Sequence, residues 1–150
     1  MRMLGRSKYS LAATLLVVVP TAAKASEWTD CQARDRTALL RSALVWEVDA
    51  TARDSRSPVA CVVVGVAGFE MDKAVDPPEG VLIEVAKVTE RRVVPVSRAS
   101  GCPGAPRTFV SEPRCADTRA IVATRTADHC PLVFKKVGNH WVDVTPNVCA

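Results

Sequence analysis

Two histidines, six cysteines and sixteen acidic residues are what this chain offers for chemistry. Cys130 follows His129, so a thiol nucleophile with a neighbouring base is the first arrangement to weigh. Neighbours on an extended segment point to opposite faces, and an even set of six cysteines without C-x-x-C favours disulfides over a free thiol. Cys130 is therefore read as half of a disulfide, beside a turn histidine. His129 and His140 could share a metal only if they lay close together. They sit at the base and tip of an expected hairpin, about 25 Å apart at strand rise. There is no H-E-x-x-H helix, G-x-S-x-G elbow, P-loop or G-x-G-x-x-G turn.

The best-placed carboxylate pair is Glu70 and Asp72, after an apolar strand, since loops at strand ends often carry function. Solvated loop charges are the default for such a pair. Arg91 and Arg92 fall at the end of an expected helix. They suit either an anion site or, preferably, a helix terminus whose negative end favours cations. Trp28, Trp46 and Trp141 could line a pocket with Phe134, although aromatics at helix and strand positions are more often core. No catalytic, cofactor-binding or metal-binding constellation emerges, and no cofactor is expected.

The N-terminus reads as a leader. Arg2, Arg6 and Lys8 precede an apolar run over 11–19, which Pro20 breaks before Ala23-Lys24-Ala25. That is a signal-peptide pattern, shorter than the roughly 20 apolar residues of a membrane span. Cleavage is expected between Ala25 and Ser26, so 1–25 is a signal peptide and 26–150 one domain. No Arg-Arg pair precedes the apolar run, and no lipidation pattern precedes Cys31. A periplasmic or secreted protein without a stable membrane anchor follows. The precursor carries 20 basic and 16 acidic residues. Losing Arg2, Arg6, Lys8 and Lys24 makes the mature chain about neutral, which removes any charge argument for nucleic acid as a partner.

All six cysteines, Cys31, Cys61, Cys102, Cys115, Cys130 and Cys149, lie in the mature chain, and none form C-x-x-C. An even number in a small exported chain reads as disulfides. Cys130–Cys149 is reachable across a hairpin mouth, and Cys102–Cys115 would tie down a long loop. Cys31–Cys61 remains by elimination, against geometry. Cys31 opens a helix roughly 30 Å long, and Cys61 opens a strand returning from its far end.

Apolar spacing predicts a helix over about 30–50 capped by Asp30, a polar loop over 51–58 and a strand buried on both faces over 59–66. Asp76-Pro77-Pro78-Glu79 predicts a second helix, over 77–90, with Asp76 as cap. A short strand over 93–97 contains Pro95, so it is an edge or starts irregularly. This strand–helix–strand order allows a right-handed parallel crossover, with an antiparallel arrangement as the alternative. A loop of about 20 residues, 98–117, comes next. A strand over 118–126 follows, with Ile121 and Ala123 on one face and Ala120, Val122 and Thr124 on the other.

The ending, 130–149, predicts a hairpin in one of two registers. A two-residue Gly138-Asn139 turn of type II′ pairs Val137 with His140. A three-residue loop pairs Val137 with Trp141 and puts Leu132, Phe134, Val142 and Val144 on one face, with Lys135 opposite Asp143. Burial pattern favours the second.

The run Cys61-Val-Val-Val-Gly, Asp76-Pro77 with Leu82-Ile83, Val94-Pro95-Val96-Ser97 and Cys102 resembles small exported bacterial proteins without an assigned activity. Phe134-Lys-Lys-Val-Gly-Asn-His-Trp141-Val is similar to the last hairpin of NTF2-like α+β domains. That resemblance implies a pocket, but the acids expected in it have no counterpart here. The sequence thus implies an α+β domain: two helices on a mostly antiparallel sheet of four to five strands, stapled by disulfides. A non-enzymatic module binding a protein or small ligand is the preferred function. The alternatives are a periplasmic enzyme or ligand-binding protein with an NTF2-like pocket, and an envelope-stress or inhibitor protein using 98–117 as its contact surface.

Overall fold

A computed structural model describes residues 27–67, 73–125 and 131–147. Valine-rich β2 (Cys61–Ala67) is the innermost element, buried over nearly its whole length. It lies between β3 (Arg92–Pro95) and β4 (Arg107–Ser111), parallel to both. α2 (Glu79–Thr89) makes the crossover from β2 to β3, so the parallel alternative holds. β3 is an edge strand, where Pro95, unable to donate to a ladder, is tolerated.

The second sheet is antiparallel, in the order β1-β5-β6-β7-β8. Its strands are β1 (Thr29–Asp30), β5 (Arg114–Ala116), β6 (Arg119–Val122), β7 (Leu132–Val137) and β8 (His140–Asp143). Backbone contacts between Val110 and Thr124 and between Ser111 and Ala123 join it to the parallel sheet. The α+β class thus holds, with the strands divided between two sheets.

The helix α1 (Ala33–Asp54) is the common cover. It packs on α2, β4 and β6. Leu39, Leu40, Ala43, Leu44 and Val48 join Val62, Val64 and Val66 of β2, Val81, Leu82 and Val85 of α2, and Ala120, Val122, Leu132 and Phe134 in one apolar core. Alternation along a strand turns the other side chains of β2 to the opposite face. There Val63 meets Val94 and Cys102. A Cβ on Gly65 would lie 2.9 Å from the Phe109 ring and 2.9 Å from Val96, so glycine leaves room for that cover.

α1 starts three residues later than expected and runs past 50, taking in the start of the anticipated polar loop. Asp30 does not cap it. Asp30 belongs to β1 and forms an ion pair with Arg114, its cross-strand neighbour. Asp76 is likewise not the cap of α2, which Pro78 precedes. Its carboxylate accepts hydrogen bonds from the Ser97 backbone N–H (3.0 Å) and from the Ser97 hydroxyl. Both bonds favour the ionised form and hold Asp76 below its ordinary value of 3.8.

The expected long loop is largely ordered structure. Residues Val96–Gly101 form a 3-10 segment that carries the chain back past the start of β2, after which β4 and β5 follow. This return decides the disulfides. Cys61 bonds to Cys102, and Cys31 bonds to Cys115. The expected Cys102–Cys115 and Cys31–Cys61 pairs do not form. Cys102 ends beside the first residue of β2, while Cys115 sits in β5, opposite Thr29 of β1 and next to Cys31. Cys130 and Cys149 lie outside the described residues.

The hairpin register is the two-residue one. Val137 pairs with His140, Lys136 with Trp141, Lys135 with Val142 and Phe134 with Asp143. Gly138 has φ 61°, the left-handed conformation a type II′ turn needs at its first central residue. Turn chemistry therefore wins over the burial pattern. Val142 and Val144 fall on the outer face, 45% and 42% exposed, and Lys135 is not opposite Asp143. In β6 the inward set is Ala120 and Val122.

The two bridges span 84 and 41 residues, and closing loops of that size restricts the unfolded chain by about 4 kcal/mol each in the chain-entropy treatment. Replacing either pair by serine is expected to cost about 2–4 kcal/mol in urea unfolding. Peptide mapping without reduction should return Cys31–Cys115 and Cys61–Cys102. Because the Asp76 value is lowered on folding, its stabilising contribution is present above the unfolded value, near pH 3.8, and lost as pH falls through the lower folded one. Thermal melts should show a small advantage of the parent over Ser97→Ala above about pH 4, narrowing in stronger acid.

Candidate functional site

Trp46 and Trp141 are brought together with Phe134. Trp46 stands on α1 one residue before the fully buried Glu47. Glu47 points inward, where the Thr108 hydroxyl donates to its Oε1. That leaves Trp46 at the margin of the core, half-buried. Trp141 is placed by the hairpin register, which turns it to the same face of the sheet as Phe134, towards α1.

Between them runs an open groove of about 360 Å³. It is lined by Trp46, Trp141, Phe134, Val45 and Val88, with Arg41, Ser42, Asp49 and Asp143. Val88 is 55% exposed, on the flank of α2 turned away from the core.

Trp141 is held in one orientation. Its indole N–H donates to Asp35 Oδ1 at 3.0 Å. Lys136 Nζ lies 3.4 Å from the same oxygen and 5.6 Å from the indole centroid, so one cation both pairs with Asp35 and sits over the ring. Asp49 pairs with Arg91 at 3.2 Å, and Arg41 approaches Glu84 at 3.9 Å. Asp143 accepts from the Thr145 N–H at 2.8 Å and hydroxyl at 2.5 Å. The groove thus offers apolar ring surface together with a few polar side chains, the composition of a binding surface.

The other candidates disperse. Trp28 is exposed beyond the far edge strand, its carbonyl accepting from Arg114. Arg91 serves a helix end, donating to the Thr89 carbonyl at 3.2 Å as well as to Asp49. Arg92 is exposed at the start of β3, and His140 is exposed beside the hairpin turn. Glu70, Asp72, His129, Cys130 and Cys149 lie outside the described residues. Among the described residues no three His, Cys, Asp or Glu side chains cluster as metal ligands would. Asp35, which orients Trp141, was not singled out from the sequence; its only signal was an acid in the first turn of a helix.

Comparison with family models, curated proteins and solved structures finds no match to this chain.

Asp35→Ala removes the acceptor that fixes Trp141. A charged, partly exposed hydrogen bond of this kind is worth about 1 kcal/mol. The variant should unfold at correspondingly lower urea, with native tryptophan emission shifted to the red as Trp141 gains water contact.

Proposed function

We propose that this chain is an exported, disulfide-stapled binding domain without enzymatic activity, and that the groove between Trp46 and Trp141 is its contact surface. The observation that carries this reading is the convergence of Trp46, Trp141 and Phe134, from α1 and the last hairpin, on one open groove. Large, rigid aromatic side chains supply contact area at little entropic cost. Export is supported by the leader pattern over 1–25 and by two disulfides. Among the described residues no helix is long and apolar enough to cross a membrane.

The NTF2-like enzymatic alternative would want an acid or histidine at the floor of a deep cavity. Here the acids lining the groove are half-buried Asp49, paired with Arg91, and exposed Asp143, and buried Glu47 faces Thr108. The inhibitor alternative uses 98–117 as its contact surface; within that segment Thr108 and Val110 are committed to the core.

With Cys31, Cys61, Cys102 and Cys115 paired, Cys149 is the one intramolecular partner left for Cys130. Intact mass of the exported chain should begin at Ser26 and lack six thiol hydrogens. Native mass spectrometry of the chain after incubation with envelope extract should show a bound component that Trp46→Ala fails to retain. Equal retention by a folded Trp46→Ala chain would remove the groove as the contact surface.

A further inference from the structure

The groove ends at an open sheet edge. β8 is the last strand of its sheet. In a two-residue hairpin the residues flanking the turn exchange both backbone bonds, and bonded pairs then alternate. Val137 and His140 flank this turn, and Val144 N–H donates to the Val133 carbonyl at 2.8 Å, in phase with that alternation. The backbone N–H and C=O groups of Trp141 and Asp143 therefore point away from β7. Among the described residues no hydrogen bond engages them. A bare edge of this kind is a template for another strand.

The side chains of the same two residues line the groove. A strand added at β8 would lay every second side chain over it, towards Trp46 and Val88. Charge selects which strand. Asp49 has Arg91, Arg41 has Glu84 and Asp35 has Lys136. Asp143 accepts only from neutral Thr145 groups, and no cation of the described residues lies within ion-pair distance.

We infer that the groove takes an extended peptide segment of another protein, which pairs with the open edge of β8 and sets a lysine or arginine against Asp143 and an apolar side chain against Trp141. This rests on the groove being the contact surface. The two recognised residues are two apart, and an antiparallel strand reads basic-x-apolar. A second copy pairing through β8 about Val142 would face Asp143 with an indole, leaving the carboxylate without a cation.

The test uses the mature chain and three fluorescein-labelled peptides: Thr-Lys-Thr-Val-Thr, the same with Lys→Glu, and the first N-methylated at its lysine and valine. The expected result is saturable anisotropy with the lysine peptide. The glutamate peptide should bind at least about fivefold more weakly, an opposite-charge cross-strand contact having become a like-charge one. The N-methylated peptide should not bind, having lost the donors that face β8. Asp143→Asn should abolish the lysine–glutamate discrimination while thermal unfolding confirms the fold. Absence of binding by the lysine peptide, equal affinity for lysine and glutamate, or equal binding of the methylated form each overturns the inference. Sedimentation showing that the chain dimerises through β8 overturns it too. A component from the extract that is lost in Trp46→Ala but indifferent to Asp143→Asn and to competing lysine peptide would leave the groove as the contact surface and remove the edge strand as its occupant.

Discussion

A strand of valines buried on both faces must be covered twice, and most of this fold follows from that. One cover is regular: α1 and α2 lay their apolar faces on Val62, Val64 and Val66. The other is improvised from a 3-10 segment, the Phe109 ring and Cys102, over Val63 and Gly65. The improvised side has no helix with a repeating apolar face, so its pieces are held by other means. Cys61–Cys102 ties the segment to the first residue of β2, and Asp76 grips Ser97. Covalent and polar links stand where apolar area is thin.

The antiparallel sheet depends on the same helix. Leu39, Leu40 and Leu44 of α1 share one core with Val122, Leu132 and Phe134. Arg36 makes a bidentate pair with Glu112, at 2.8 and 2.6 Å, which fixes the N-terminal part of the helix to the link between β4 and β5. The Glu112 carboxylate raises the Arg36 value further. The groove is a by-product of this sharing. α1 spans both sheets, and where it passes the last hairpin it leaves Trp46 and Trp141 on either side of a gap.

The legible parts were those where one residue pattern had one physical outcome. The unbroken apolar run of β2 and the spacing of Leu82, Val85 and Thr89 in α2 read directly, and Pro95 narrowed its strand to an edge or an irregular start, of which the edge is observed. β4 did not, because Thr108 and Val110 alternate over only five residues between prolines, too short a run to show its period. The capping roles assigned to Asp30 and Asp76 failed because each carboxylate found a distant partner, Arg114 or Ser97, that local sequence does not reveal. The hairpin register was decided by Gly138, whose backbone freedom outweighed the exposure of two valines. Of the site, Trp46, Trp141 and Phe134 were visible as a set. Their convergence was not, since it depends on that register and on Asp35, which lies far away in the chain.

The two bridges are nested: Cys31 with Cys115 encloses Cys61 with Cys102. A chain emerging from its N-terminus presents these four cysteines in the order 31, 61, 102, 115, so an oxidant acting on each new thiol would first join Cys31 to Cys61, which is not a native bond. Correct pairing requires that the outer thiol wait until β5 has emerged and docked against β1, or that an early wrong bond be exchanged through a mixed disulfide. Maturation of this domain is thus a matter of timing between oxidation and docking, with thiol exchange as the corrective step.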